Sequence, residues 1–280
     1  MFASTAQLAA QAASEGHGLG AFNVVLLDHA EAFVAAAEEV GAPVVLQISE
    51  NAVKYHGALE PLAQAVLALA RRAAVPVAVH LDHAESVELC RQAVALGFSS
   101  VMYDGSKLSW EDNVATTAEV VRLCHSGPQG RVDVEAELGE VGGKNGVHDP
   151  SARTDPQDAA RFVAATGVDL LAVAVGSSHA MTTRGAQLDN ALIGQIAAAV
   201  PVPLVLHGSS GVSDDGMVAA IKAGMTKINV STHLNKLFTA AVREFLAAEP
   251  NVVDPRKYFR VGNAVIQAEV ARLLRLYRPS

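Results

Sequence analysis

The stretch "PVAVHLDHAESVELCRQAVALGFSSVMYD", residues 76–104, decides the fold of this chain. It opens with an apolar run over residues 76–83, continues with an amphipathic helical pattern, and ends with a second apolar run over 99–104. Gly97 follows the helical pattern, where a left-handed residue commonly ends a helix. Because nearly continuous apolar strands flank a helix, the stretch predicts a βαβ unit with parallel, buried strands.

The same alternation recurs along the whole chain of 280 residues. We predict eight strands, over residues 18–24, 42–49, 76–83, 99–104, 132–139, 169–177, 203–208 and 226–231. Eight βα units without a linker predict an α/β fold, a closed (β/α)8 TIM barrel, as one domain over residues 1–280. A doubly wound open sheet is the alternative. It usually has fewer strands and a glycine-rich first turn, which "HGLGAFN" at 17–23 matches poorly.

Two segments fall outside the regular alternation. A C-terminal extension, about residues 250–280, carries "VVDPRKYFR" (252–260) and a last helix predicted at 262–277, and we expect it to fold back over the barrel or to reach a neighbouring subunit. The polar, glycine-rich connection "GGKNGVHDPSAR" (142–153) is interpreted as a mobile active-site loop, with a plain surface loop as the alternative.

Composition excludes several classes of protein. The net charge of −8 without a basic patch argues against nucleic acid as a partner. No window reaches 18 consecutive apolar residues, so no membrane span is expected. Cys90 and Cys124 do not form a disulfide framework, and the N-terminus does not resemble a signal peptide, so we expect a cytoplasmic protein.

Three histidines follow or end three different predicted strands. They are His83, His179 and His207. Because the carboxyl ends of barrel strands meet at one rim, these imidazoles are expected to converge there. Three imidazoles with an open fourth position are the usual layout of a catalytic Zn²⁺ site, so the sequence predicts a zinc centre.

Asp82 is adjacent to His83, and neighbouring residues of a regular strand point to opposite faces. Both can serve one site only if the strand end kinks. Asp82 is interpreted either as a proton donor and acceptor, or as a partner of a ligand or a cap for the following helix. His80 is expected to support the site from behind.

Glycine-rich segments follow the last two strands. In "LHGSSGVSDDG" and "KINVSTHL", the candidates are Ser210, Gly211, Ser231 and Thr232. Loops at this place in a barrel often bind phosphate through backbone N–H groups and a helix N-terminus. An ordinary turn is the alternative for "SSG".

These motifs resemble one known family when they are taken together. "AFNV", "HLDH", "GFSSVMYDGS", "VEAELGEVGG", "TGVDLLAVAVGSSH", "PLVLHGSSG", "KINVST" and "DPRKY" occur in order from about Gly18 to about Tyr258. They resemble the class II (zinc-dependent) fructose-bisphosphate and tagatose-bisphosphate aldolases. The resemblance implies a (β/α)8 barrel that reversibly cleaves a phosphorylated ketose to dihydroxyacetone phosphate and an aldehyde, in carbohydrate metabolism such as glycolysis.

The resemblance also implies roles for individual residues. His83, His179 and His207 match the zinc ligands, and Asp104 and Glu137 match an alternative, buried metal position. Asp82 matches the residue that moves a proton on the aldehyde half. Gly208, Ser210, Asn229, Ser231 and Thr232 match the first phosphate site, beside which a monovalent cation (Na⁺ or K⁺) often lies. Arg256 matches an arginine that reaches the far phosphate from a neighbouring subunit, which implies a homodimer or homotetramer. Asn23 and Ser49 match lesser contacts near the substrate.

The sequence departs from the family pattern after the fifth strand. Family members usually have a glutamate and an aspartate after "GG", whereas this chain has Lys144 and Asn145. Asparagine is not a carboxylate base, so His148 or Asp149 is a candidate replacement. Ala180 follows the second histidine in place of a glycine, and Ser209 changes the usual "GGSG" or "GASG".

Several alternatives remain open at the level of sequence. The same family fold acting on a phosphorylated keto acid would use Arg184 or Lys144 to meet a carboxylate. A non-catalytic sugar-phosphate sensor would account for the missing loop glutamate. A metal-dependent hydrolase fits the phosphate loops less well, and a Schiff-base lysine, Lys107 or Lys227, would leave the three histidines unexplained.

Overall fold

The fold is a closed barrel of eight parallel strands in sequential order, with β8 pairing back onto β1. The computed structural model describes residues 1–127, 130–138, 153–178 and 184–279. The strands are β1 (Leu19–Asn23), β2 (Val44–Ser49), β3 (Val77–Ala84), β4 (Ser100–Tyr103), β5 (Asp133–Leu138), β6 (Leu170–Val173), β7 (Leu204–Leu206) and β8 (Met225–Val230). Each of these strands overlaps the strand predicted at the same place in the chain, so the (β/α)8 fold class is confirmed.

Eleven α-helices surround the barrel in the described part of the chain. They are α1 (Thr5–Ser14), α2 (Leu27–Val40), α3 (Glu50–His56), α4 (Glu60–Arg72), α5 (Val87–Leu96), α6 (Trp110–His125), α7 (Pro156–Thr166), α8 (Asn190–Ala199), α9 (Asp214–Lys222), α10 (Thr232–Ala248) and α11 (Pro255–Leu276). Gly41, Gly97 and Gly167 end α2, α5 and α7 in the left-handed conformation that the sequence predicts. None of the described helices is long and apolar enough to cross a membrane.

The inside of the barrel is apolar at its N-terminal end. Inward side chains of six strands, among them Leu19, Val45, Met102 and Val205, form one buried cluster with Leu8 of α1. Helix α1 therefore closes this end, and Thr5 Oγ1 lies 2.6 Å from Ser100 Oγ on β4. Because strand side chains alternate with a period of two, residues two and four positions further along each strand face the same interior, nearer the C-terminal rim.

The last helix begins earlier than the sequence predicts. It begins at Pro255 rather than at residue 262, because Asp254 caps it by accepting a hydrogen bond from the backbone N of Arg256 at 3.0 Å. Proline at the first helical position fits this start. Helix α11 then packs against α2 and α10, so the extension folds back over the barrel as expected.

Candidate active site

The C-terminal rim of the barrel holds an open cavity of about 420 Å³. Eleven of the site residues that the sequence predicts line it: Asn23, Ser49, Asp82, His83, Asp104, His207, Gly208, Ser210, Asn229, Ser231 and Thr232. The polar ends of β1, β2, β3 and β8, and the residues that follow β4 and β7, therefore meet at one place. His179, Ala180, Lys144, Asn145, His148 and Asp149 lie outside the described residues, as does the loop 142–153 apart from Arg153.

A kink at the end of β3 brings two adjacent residues into this cavity. His83 has a φ of 53°, in the left-handed region that residues other than glycine seldom adopt. The pairing of β3 with β4 shifts register between Leu81 and Ala84. Asp82 and His83 therefore both line the cavity, as the kink interpretation requires. The cap alternative for Asp82 is wrong, because Ser86 caps α5 by accepting from the backbone N of Leu89 at 3.3 Å.

Two histidines face each other across the cavity floor. His83 Nδ1 lies 2.8 Å from Asp104 Oδ2, and His207 Nε2 lies 2.9 Å from Glu135 Oε1. Each carboxylate accepts a hydrogen bond from the N–H of the ring nitrogen it touches, which leaves a lone pair on the other nitrogen of each ring. These two remaining nitrogens, His83 Nε2 and His207 Nδ1, are 2.9 Å apart.

This donor set fits a metal ion. Facing lone pairs repel each other unless a cation lies between or beside them, and a carboxylate behind each imidazole is the usual arrangement around a metal ligand. Ligand atoms of Asp82, His83 and His207 all lie within 4.8 Å of one another, and so do those of His83, Asp104 and Glu137. The second set agrees with an alternative, buried metal position, which stays a prediction. The role of His179 as third imidazole also stays a prediction.

Asp82 is buried beside the histidines and held by the side-chain amide of Asn23. Its side chain accepts a hydrogen bond from Asn23 Nδ2 at 2.7 Å, and Gln47 Nε2 orients Asn23 by donating to its Oδ1 at 3.1 Å. Burial alone raises the pKa of Asp82, but interactions that favour the ionised form, among them the charge of Lys227 and the hydrogen bond from Asn23, outweigh burial and hold that pKa below its usual range. The carboxylate is therefore ionised and ready to accept a proton.

The opposite wall of the cavity is formed by the turns after β7 and β8. Gly208 has a φ of 69° and precedes a short 3-10 helix, Ser209–Gly211. Ser210, Ser231 and Thr232 line this wall with hydroxyl groups. The Ser209 hydroxyl donates a hydrogen bond to the backbone carbonyl of Asn229. This serine, which stands where the family usually has glycine or alanine, therefore links β8 to this turn. The arrangement presents small polar groups around one part of the cavity, as a phosphate site requires.

Three of the described residues that the sequence predicts for the site do not line the cavity. Glu137 is buried behind His83, with Oε2 4.0 Å from His83 Nδ1. Gly211 is buried, and its carbonyl accepts from the backbone N of Ala186 at 2.9 Å. Arg256 has a side chain that is 86% exposed, and its Nη2 lies 2.8 Å from Asp254 Oδ2. A contact of Arg256 with substrate in a neighbouring subunit stays a prediction.

A buried polar network under the histidines was not identified from the sequence as a unit. Glu135, Lys227 and His80 are fully buried, and Lys227 Nζ lies 2.8 Å from Glu135 Oε2. The sequence signal that points to them is the two-residue period of a strand. Each precedes a predicted site residue (Glu137, Asn229 or Asp82) by two positions, so its side chain points to the same interior. Burial and this ion pair also argue against Lys227 as a Schiff-base nucleophile.

Comparison with known proteins gives a consistent result across the chain. The family model described as fructose-bisphosphate aldolase class-II matches residues 3–280. A fructose-bisphosphate aldolase of Geobacillus stearothermophilus is 41% identical over 268 residues, which cover 94% of this chain and 92% of that protein. A fructose-bisphosphate aldolase of Thermus caldophilus is 38% identical and covers 99% and 98% of the two chains. The crystal structure of the YdjI aldolase from Escherichia coli K12 superposes with a TM-score of 0.86 at 31% identity and covers 99% of this chain and 97% of that one.

Proposed function

The chain belongs to the class II fructose-bisphosphate aldolase family and is an aldolase, a lyase, and we propose that it is a zinc enzyme for a ketose bisphosphate. The proposed reaction is the reversible aldol cleavage of fructose 1,6-bisphosphate or tagatose 1,6-bisphosphate to dihydroxyacetone phosphate and an aldehyde. One observation carries the proposal. His83 Nε2 and His207 Nδ1 face each other at 2.9 Å in a cavity that also holds an ionised carboxylate, Asp82.

His83 and His207 are the described residues that would hold the zinc, and His179 is proposed as the third ligand. Zinc, when bound, supplies a Lewis acid that stabilises the negative charge developing on the ketose half during cleavage. The protein prepares this site by holding both rings from behind through Asp104 and Glu135. Asp104 and Glu137 are proposed as the alternative metal position beside His83.

Asp82 is proposed as the acid and base for the aldehyde half. In the cleavage direction its carboxylate takes the proton of the hydroxyl on the carbon that becomes the aldehyde, and in the condensation direction it returns that proton. Asn23 holds the carboxylate by a 2.7 Å hydrogen bond. The proton on the dihydroxyacetone phosphate carbon needs a second group, and His148 or Asp149 is proposed for it in place of the absent loop glutamate.

The wall formed by Gly208, Ser210, Asn229, Ser231 and Thr232 is proposed to bind the phosphate of the dihydroxyacetone half, with Na⁺ or K⁺ beside it. Its hydroxyl and N–H groups are uncharged donors, so an adjacent cation would offset part of the charge of the bound phosphate. Ser49, at the end of β2, is proposed as a lesser contact.

The alternative of a phosphorylated keto acid receives less support. Arg184, its candidate partner for a carboxylate, has Nη1 at 2.7 Å from Asp214 Oδ1 and Nη2 at 3.9 Å from Glu269 Oε1. Two carboxylates therefore already neutralise the positive charge of Arg184, which leaves it less suited to bind the carboxylate of a keto acid.

We also propose a homodimer or homotetramer in the cytoplasm. The exposed Arg256 is available to a neighbouring subunit. The buried, free thiols of Cys90 and Cys124 agree with a reducing compartment.

To test the proposal, the zinc-loaded protein is incubated with fructose 1,6-bisphosphate or with tagatose 1,6-bisphosphate, each with and without a chelator. Dihydroxyacetone phosphate is then detected enzymatically. The expected result is release from one sugar that the chelator abolishes and added zinc restores. His83→Ala is the matched control, since it removes one ligand from the same site. Release that persists with the chelator would refute the zinc proposal. Bound zinc without release from either sugar would favour another phosphorylated ketose or a sensor.

A further inference from the structure

We propose that Glu135 and Lys227 are positioning residues that determine which nitrogen of His207 faces the metal. The inference rests on the proposed zinc site and adds two residues to it. Both residues lie inside the barrel, directly beneath the cavity floor, and both side chains are 0% exposed. Neither is among the residues that line the cavity.

The contacts form a short chain that ends at His207. Lys227 Nζ lies 2.8 Å from Glu135 Oε2 and donates to Asn229 Oδ1 at 2.8 Å. The other carboxylate oxygen, Glu135 Oε1, lies 2.9 Å from His207 Nε2. A buried ammonium without a counter-ion is strongly disfavoured, so Lys227 holds Glu135 as a carboxylate.

A carboxylate only accepts hydrogen bonds, so His207 must carry its proton on Nε2. The lone pair is then on Nδ1, which faces His83 Nε2 at 2.9 Å. The surroundings would favour the opposite tautomer without this carboxylate, because Asn229 Nδ2 lies 3.2 Å from His207 Nε2 and is a donor. Glu135 therefore selects the tautomer that can bind a metal.

The contact between Glu135 and Lys227 leads to a specific prediction for the variant Glu135→Gln. Lys227 would draw the amide oxygen of the new glutamine towards itself, which leaves the amide NH₂ pointing at His207 Nε2. His207 Nε2 would then accept a hydrogen bond from this NH₂ group, and the ring proton would move to Nδ1. A proton on Nδ1 prevents that nitrogen from binding a metal. In the double variant Glu135→Gln with Lys227→Met, the ammonium is gone and the amide is free to turn its oxygen back to His207. The second substitution should therefore partly rescue the first.

The same network offers a matched control at its other end. Ser100 Oγ lies 2.7 Å from His80 Nδ1 and 2.6 Å from Thr5 Oγ1, and it does not touch His207. Ser100→Ala removes buried hydrogen bonds from the barrel interior but leaves the contact between Glu135 and His207. The zinc affinity of Ser100→Ala therefore shows the effect of losing buried hydrogen bonds alone.

The experiment measures zinc affinity of metal-free protein by competition with a chromophoric chelator, and the tautomer of His207 by ¹⁵N NMR of the same samples. We expect Glu135→Gln to bind zinc about 10- to 100-fold more weakly, as is usual when the group behind a ligand histidine is lost. Its His207 should carry the proton on Nδ1. The double variant should recover part of the affinity, and Ser100→Ala should match the unsubstituted protein.

Equal affinities in Glu135→Gln and Ser100→Ala, or no rescue in the double variant, would overturn the inference. Failure of the unsubstituted protein to bind zinc would instead refute the proposed function, and the NMR tautomer of His207 would still test the inference. If Glu135→Gln does not fold, Glu135→Asp keeps the charge but withdraws it from His207. It should then weaken zinc binding, and unchanged affinity would overturn the inference.

Discussion

Replacing Gly208 by alanine tests whether the turn after β7 sets phosphate binding. The φ of 69° lies in the left-handed region, which costs an alanine about 1–2 kcal/mol. A Cβ at this position would lie 2.6 Å from the backbone C and O atoms of Ser178. Because these are main-chain atoms, the turn or the segment that follows β6 must move, and overpacking of this kind costs about 1–3 kcal/mol more.

The loss of stability should therefore be about 2–5 kcal/mol, seen as a fall in Tm of about 5–15 °C. The displaced turn carries Ser210, and Ser178 directly precedes His179 in the chain. Loss of one hydrogen bond to a charged phosphate costs about 1.5–3 kcal/mol. KM for the bisphosphate should therefore rise about tenfold or more.

Gly167→Ala is the matched control. Gly167 has a φ of 73° at the end of α7, and the nearest atom to its added Cβ would be Val121 Cγ1 at 3.8 Å. It therefore has the same dihedral cost without the steric clash, and it lies before β6, away from the rim. Thermal unfolding and steady-state kinetics on both variants separate the two effects. Equal Tm values and equal KM values for Gly208→Ala and Gly167→Ala would refute the reasoning.

Two further predictions concern proton transfer and acid stability. Asp82→Asn should keep zinc and lower kcat by about 10²-fold or more, whereas His83→Ala should lose zinc. Metal analysis beside kinetics distinguishes them, and unchanged turnover in Asp82→Asn would remove this carboxylate from the mechanism. Burial alone raises the pKa of Glu269, but hydrogen bonds from Arg272 and His233 outweigh burial and lower it to about 2. Because this folded-state pKa is below the unfolded value of about 4.3, the ionised group stabilises the fold above that pH, and the contribution is lost as pH falls towards 2. The difference in Tm between the protein and Glu269→Gln should therefore be full at neutral pH and shrink below about pH 4; a constant difference would contradict the ion pairs seen here.

Features set by local interactions were predictable from the sequence. The short apolar runs between helical patterns located all eight strands, and Gly41, Gly97 and Gly167 marked helix ends because a left-handed residue is needed there. The rim residues followed from this, since every carboxyl end of a parallel barrel points the same way. Helix α11 begins before its predicted start, because Asp254 caps the helix and Pro255 occupies its first position.

The sequence by itself therefore determined the barrel and eleven of the residues that line the cavity at its rim. Only the tertiary structure decided how those side chains pair. His207 and His83 are 124 positions apart, and their facing nitrogens depend on barrel closure and on the left-handed backbone of His83. The pairing of Glu135 with Lys227 depends on strand register, because burial forces a charge to find whichever counter-ion the interior places beside it.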